Sequence, residues 1–356
     1  MKKKRSIVIG VVIVLIMGCA LFSIILKRNH SNVQKDNFKS LGKYEKEYCD
    51  DWAFYNYGQS VNGVKGVEGI DIDVFGAWNI TKGDKEVRVG IVDTGIDVNE
   101  NKIKSHIFGE EKKIDGKDDD QNGYIDDING WDFYNNDNSV YDKYSHDYHG
   151  TYVANEILRV APNISIIPAK FMEGTKGSLD DAVEAIQYLI ERGARIINCS
   201  WNFENYSKKM YNIIKNNPNV LFVCAAGNSN LNLDENKLYP CSYKADNIMT
   251  VGAIDSKGVI SNVSGYGKKV DVLAPGVNVK VCLPENDIDY LEGTSISTAI
   301  VSGEAALILS INKNLTSSQI KEIIISSCIK KKSMSNWCSS EGYINVGLAV
   351  IQAGKY

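Results

Sequence analysis

Histidine is scarce in this chain: four in 356 residues, at positions 30, 106, 146 and 149. Chemistry that needs an imidazole near neutral pH therefore has few places to sit. Basic residues do not cluster outside the N-terminus, which argues against a nucleic-acid-binding surface. The eight cysteines do not follow a zinc-site spacing. From Asp51 to the C-terminus no linker-like segment interrupts the chain, so residues 51–354 read as one domain with room for a substantial core.

Charge is absent from another stretch. Lys2-Lys3-Lys4-Arg5 is followed by Ser6 to Leu26 without one charged residue, then by Lys27-Arg28. As a helix this run would be about 31 Å long, enough to cross a bilayer core. A cleaved signal peptide is one alternative, but the run is long for one and lacks a clear small-x-small exit. A lipid anchor is another, because Ile16-Met17-Gly18-Cys19 is a loose lipobox, yet Ala20 to Leu26 stays apolar beyond the cysteine. The expectation is a cytoplasmic stub and membrane anchor over 1–28, a tether over 29–50 rich in Asn, Lys, Ser and Glu, and an extracytoplasmic domain. That exported part carries 34 basic and 44 acidic residues, a formal charge of −10, and mildly favours basic substrates. Its seven cysteines are an odd number, so at least one is unpaired within the chain. Cys199 and Cys224 lie in apolar runs and read as buried thiols. Cys328 and Cys338 flank a short loop that a bridge could close.

What fills the domain is a recurring pattern of short β-branched runs and helices, the signature of a parallel sheet covered on both faces. Strands are expected over 87–92, 164–169, 194–199, 220–226, 247–252 and 270–273. Pro168 suggests a strand end or a bulge. A helix opens at Ser178 with Asp181 as a capping box, carries Val183, Ile186, Leu189 and Ile190 as its buried stripe, and stops at Gly193. Further helices are expected over 210–217 and from Thr316-Gln319 over 320–326. Ile300 to Leu309 is small and apolar enough for a buried helix. In such sheets chemistry lies beyond the carboxyl ends of the strands, where Asp93 and Asn228 both fall.

Taken singly, the polar residues at these ends have ordinary explanations. Asp93 suits a turn with Thr94-Gly95, Asn228 suits a turn beside Gly227, and Ser295 suits a helix cap. Together with His149, they supply a nucleophile, a base, an orienting carboxylate and an oxyanion donor. Ile91-Val92-Asp93-Thr94-Gly95, His149-Gly150-Thr151-Tyr152-Val153-Ala154, Ala225-Ala226-Gly227-Asn228 and Gly293-Thr294-Ser295 resemble, in order, the four motifs of the subtilisin-like serine endopeptidases. Tyr239-Pro240, Val251-Gly252-Ala253, Val272-Leu273-Ala274-Pro275-Gly276 and Gly342-Tyr343-Ile344-Asn345 extend the resemblance over about residues 58–353. It implies an α/β fold with a largely parallel central sheet covered by helices on both faces. It also implies peptide-bond hydrolysis with Ser295 as nucleophile, His149 as base, Asp93 as its orienting partner, and Asn228 with the Ser295 N–H as oxyanion donors.

Several positions depart from that pattern. Tyr148 stands where the family has glycine, Tyr152 where it has a second histidine, Asn155 for a common glycine, and Ala299-Ile300 for a proline-histidine pair. Ser200-Trp201-Asn202 replaces the Ser-Leu-Gly of the substrate-lining strand, which points away from broad specificity and toward a dedicated peptide-processing role. Between anchor and catalytic domain there is room only for a tether, not for a folding pro-domain. Asp118 to Asp127 resembles the front of an EF-hand loop without its final glutamate. It reads as a solvated acidic loop, with structural calcium as the alternative. The expected partners are a peptide or protein substrate and, through the anchor, the membrane; the chain is expected to act as a monomer and to bind no nucleic acid.

Overall fold

The run around Gly90 folds as strand β1 (Arg88–Asp93), and its neighbours follow from the same β-branched composition. The computed structural model describes residues 48–111 and 113–356; the expected anchor and nearly all of the tether lie outside them. Within the unit Asp50–Tyr356, β2 is Trp131–Asp132, β3 Ser165–Lys170, β4 Ile196–Cys199 and β5 Leu221–Ala225. The remaining strands are β6 (Ile248–Ile254), β7 (Val272–Pro275), β8 (Ile329–Lys330) and β9 (Gly342–Tyr343). They form a nine-stranded sheet in the order β8-β9-β7-β6-β5-β4-β1-β3-β2. Every pairing in it is parallel except β8 with β9.

Among the described residues, six helices have eight residues or more: α1 (Tyr144–Val160), α2 (Leu179–Glu191), α3 (Lys208–Asn216), α4 (Thr294–Ile311), α5 (Ser317–Ser327) and α6 (Val346–Ala353). Alternation along β1 assigns the faces. Gly90 points at α2, where a Cβ would stand 2.9 Å from Leu189 Cδ1. Asp93, of opposite parity, points at α1 and meets His149. Helix α4 packs beside α1 and across the central strands. It is long and apolar enough to cross a membrane, but its residues from Thr294 to Leu309 are all buried in the domain.

Two local expectations need correction, and one pairing left open by the sequence is decided. Pro168 sits inside β3 rather than at its end. Ile166, of the same parity, bonds outward to His106 O and Phe108 N, and Lys170 O accepts from Phe133 N. Pro168 faces the same outer side, in the gap before β2, so its missing N–H interrupts no ladder bond. In α2 the Ser178 hydroxyl caps Asp181 N at 3.0 Å. The helix's buried residues, however, are Ala182, Ala185, Ile186, Tyr188 and Leu189, while Val183 and Ile190 are only half-buried. Finally, Cys328 and Cys338 form no bridge. Both are buried thiols whose sulfurs lie 3.3 Å from Ile324 O and 3.4 Å from Gly342 O. Cys199 and Cys224 are buried thiols, as their apolar runs suggest.

Candidate active site

Asp93 ends β1 with its carboxylate nearly out of solvent, 1% exposed. A buried carboxylate is costly unless it is bonded, and Oδ1 accepts from Thr94 N at 2.7 Å and from His149 Nδ1 at 2.6 Å. The histidine arrives from α1, which begins five residues before it. The approach depends on Gly150: a Cβ there would lie 2.2 Å from Gly95 O and 3.2 Å from Asp93 Cβ. With no side chain, α1 closes onto the end of β1, and Gly150 N donates to Thr94 Oγ1 at 3.1 Å.

The N-terminal end of α1 is held by a buried ion cluster. Asp147 Oδ2 accepts from the backbone of Asp142 and Lys143 at 2.7 and 3.1 Å and pairs with Lys170 at 3.2 Å. Lys170, at the end of β3, also pairs with Asp142 and, at 3.4 Å, with Asp132. Burial pulls its ammonium pKa down, but the three carboxylates outweigh that and hold it above its ordinary value.

Ser295 lies in the first turn of α4. His149 Nε2 is 3.1 Å from its Oγ, so a single imidazole bridges the buried carboxylate and the hydroxyl. Ser295 Oγ can also donate to Ser200 O at 3.0 Å. The helix start is fixed from below by a chain of buried bonds. Ser302 Oγ donates to Asn198 Oδ1 at 2.9 Å, Asn198 Nδ2 to Ser200 Oγ at 3.0 Å, and Ser200 Oγ to Ser295 O at 3.0 Å. Sequence reasoning missed Asn198 and Ser302; the available signal was a polar residue in each of two otherwise apolar, buried elements.

Asn228 follows β5 and is exposed. Its Oδ1 accepts from Thr294 N and Thr294 Oγ1, both at 2.9 Å. Its amide nitrogen stands 3.3 Å from where a Cβ on Gly293 would lie, and Asn228 lines the cleft near the start of α4, whose first N–H groups lack intrahelical partners. The four sequence-predicted residues are therefore brought to one place, at the mouth of a cleft of about 700 Å³ lined by Tyr148, Met172, Glu173, Trp201 and Asn202 among others.

A profile of the subtilase family matches residues 84–343. The chain belongs to that family. It is 32% identical over 251 residues to a thermophilic serine proteinase of Bacillus sp. strain AK1, covering 67% of this chain and 56% of that protein. It is 30% identical over 297 residues to subtilisin-like protease 1 of Plasmodium berghei, covering 75% and 50%. Subtilisin DY of Bacillus licheniformis is 31% identical over 248 residues, covering 66% and 81%. The chain thus spans about half the length of the first two relatives. Among solved structures, the fold matches one described for subtilase cytotoxin assembly with a TM-score of 0.66 at 21% identity, covering 80% of this chain and 95% of that one. A lanthipeptide protease matches with a TM-score of 0.65 at 21% identity, covering 78% and 90%.

The subtilase's departures from the family pattern are absorbed by packing. Tyr152 is buried, with its ring centroid 4.8 Å from that of His149. Burial, reinforced by Asp93, pushes its hydroxyl well above the usual phenol range, so it is a neutral neighbour of the relay. Asn155 is buried and donates to Glu100 Oε2 at 3.0 Å and to Cys282 O at 3.1 Å. Ala299 and Ile300 are core residues of α4. Tyr148 is partly exposed and lines the cleft.

The acidic loop differs from the expected solvated one. Asp126 and Asp127 are buried, and the carboxylates that converge are Glu111, Asp120 and Asp127, each offering an oxygen within 4.8 Å of the others. Of the alternating EF-hand-like positions only Asp120 belongs to this set. Asp118 instead accepts from the backbone of Asn122 and Gly123, at 3.0 and 2.8 Å. Arg192 Nη1 pairs with Asp127 at 2.8 Å and Asp120 at 3.3 Å. Asp127 Oδ1 and Glu111 Oε2 are buried without a hydrogen-bond partner. Two unpartnered, buried carboxylate oxygens fit a hard divalent cation such as calcium.

Proposed function

We propose that this subtilase is a serine endopeptidase that cleaves peptide bonds through a seryl acyl-enzyme. The observation that carries the reading is the imidazole of His149, 2.6 Å from Asp93 on one side and 3.1 Å from Ser295 on the other. His149 takes the Ser295 proton as Oγ attacks the carbonyl carbon and returns it to the leaving amine; water then attacks the ester by the same route. Asp93 holds the Nδ1–H tautomer and steadies the imidazolium. Asn228 Nδ2 and the Ser295 N–H receive the oxyanion.

The finer reading is a membrane-tethered enzyme acting outside the cell as a monomer on a restricted set of peptides. Its supports are the charge-free run 6–26 behind four basic residues and the bulky Trp201-Asn202 edge of the cleft. One experiment tests both levels. A membrane-impermeant fluorophosphonate is applied to intact cells expressing wild type, Ser295→Ala, or a chain in which residues 1–28 are replaced by a cleavable secretion signal, and to their medium. Labelling of wild type in the membrane fraction, absent in Ser295→Ala and moved to the medium by the replacement, is the expected outcome. No labelling of folded wild type, with or without calcium, would sink the hydrolase and favour a binding module. Labelling only after cell lysis would sink the outward orientation.

A further inference from the structure

The centre formed when a peptide carbonyl is attacked has four directions, and three are taken by the site proposed above, on which this inference rests. Ser295 Oγ supplies one bond, the oxyanion turns to Asn228, and the leaving nitrogen must face His149 Nε2 to be protonated. The fourth carries the residue whose carbonyl is attacked. The segment Ser200–Asn202 lines the cleft beside the nucleophile, its first carbonyl oxygen 3.0 Å from Ser295 Oγ, and is the wall against which that residue is placed. Beside that segment runs the end of β5, continuing to Ala226-Gly227, and the space between the two must receive that residue's side chain.

Asn202 occupies this space. Its Nδ2 donates to Ala225 O at 2.9 Å, spanning from one wall to the other, and lies 3.6 Å from Cys241 Sγ behind. Its Oδ1 is 3.1 Å from where a Cβ on Gly227 would stand, and Leu238 Cδ1 is 2.7 Å from the same point. The cleft is lined by Ser200, Trp201, Asn202 and Ala225, whereas Leu238 and Cys241 do not reach it. The amide stands beside both of them, bonded across to Ala225 O. Trp201 cannot swing aside to widen it. Its buried indole donates to Val92 O at 2.8 Å and packs with Phe171 at 4.9 Å between ring centroids.

We propose that Asn202 is a specificity-determining residue that closes the recess on the acyl side of the scissile bond, so that the enzyme accepts glycine, alanine or serine there and rejects large apolar side chains. Two physical reasons act together. A Phe or Leu side chain entering between the two walls would meet the Asn202 amide that spans them. Displacing the amide to make room would break its bond to Ala225 O and leave a buried carbonyl unpaired.

The test uses the full chain and fluorogenic peptides that differ only in the residue before the scissile bond: Gly, Ala, Leu or Phe. Wild type, Asn202→Gly and Asn202→Ala are compared after active-site titration with a fluorophosphonate. Wild type is expected to favour Ala over Phe by about tenfold or more in kcat/KM, the scale on which pocket size discriminates. Asn202→Gly should raise the Phe-to-Ala ratio by a similar factor, with Asn202→Ala between. Faster cleavage at Phe than at Ala by wild type, or an unchanged ratio in variants that still label, overturns the role of Asn202 and leaves the hydrolase standing. If a variant no longer labels, the wild-type ratio decides. Wild type that neither labels nor cleaves any peptide overturns the hydrolase, and this inference with it.

Discussion

Ser295 and Glu304 lie on the same helix and are both buried, yet their surroundings differ completely. Around Ser295 polar groups answer one another: Thr294 bonds Asn228, Ser295 bonds Ser200, and Ser297 bonds Pro275 O at 2.9 Å. Around Glu304 nothing does. Neither carboxylate oxygen has a hydrogen-bond partner, and burial alone raises its pKa to about 8. At the Ser295 end each of these hydroxyl and amide groups is bonded, and Asp93 is bonded through Oδ1 while its Oδ2 is buried without a partner. Glu304, with neither oxygen bonded, gives up its charge instead.

Breaking the paired end gives the largest effect. Asn228→Ala removes the side-chain oxyanion donor and should lower kcat roughly 10²–10³-fold, the magnitude known for the equivalent change in subtilisin itself. Fluorophosphonate labelling should persist, because His149 and Asp93 are untouched. A loss confined to KM would show that the amide binds substrate and transition state alike.

The unpaired end titrates in stability rather than activity. Folded Glu304 keeps its proton up to about pH 8, whereas the unfolded chain releases it near its ordinary value of 4.5. The protonated side chain's contribution is thus fully present below pH 4.5 and is lost progressively as pH rises to about 8, by up to roughly 1 kcal/mol per pH unit. Glu304→Leu should be more stable than wild type at pH 8 by a few kcal/mol, on the order of one buried unpaired group, and show little gain at pH 5. Urea melts at the two pH values check this; equal gains at both would mean that packing, not ionisation, is responsible.

The acidic loop lies between these extremes, with carboxylates paired on one side and open on the other. Calcium in place of EDTA should raise Tm by roughly a few degrees, since an ion that binds only the folded state stabilises it by mass action. Glu111→Gln should shrink that difference. Equal melting in both buffers would identify the cluster as a carboxylate–arginine network that needs no ion.

Much of the fold was legible because its signals are local. Apolar runs ending in Asp93 and in Ala225-Ala226 folded as strands β1 and β5 within a residue or two of the expected bounds, and the Thr316-Gln319 capping box is present. Pro168 misled, because whether a strand residue needs its N–H depends on which neighbour its parity faces. The α2 stripe misled at Val183 and Ile190, because the helix is only partly covered by the elements packed on it.

The sequence by itself determined the strand–helix alternation, the order of Asp93, His149, Asn228 and Ser295, and the glycines that let those segments approach. These follow from residue type and spacing, which act over a few positions along the chain. Only the tertiary structure decided which polar groups are answered. Ser200 meets Ser295, Arg192 meets Asp127, Asn202 meets Ala225 and Glu304 finds no hydrogen-bond partner, because each outcome depends on groups far away in sequence. Hydrogen bonding acts over about 3 Å, so pairing is settled by packing and not by pattern.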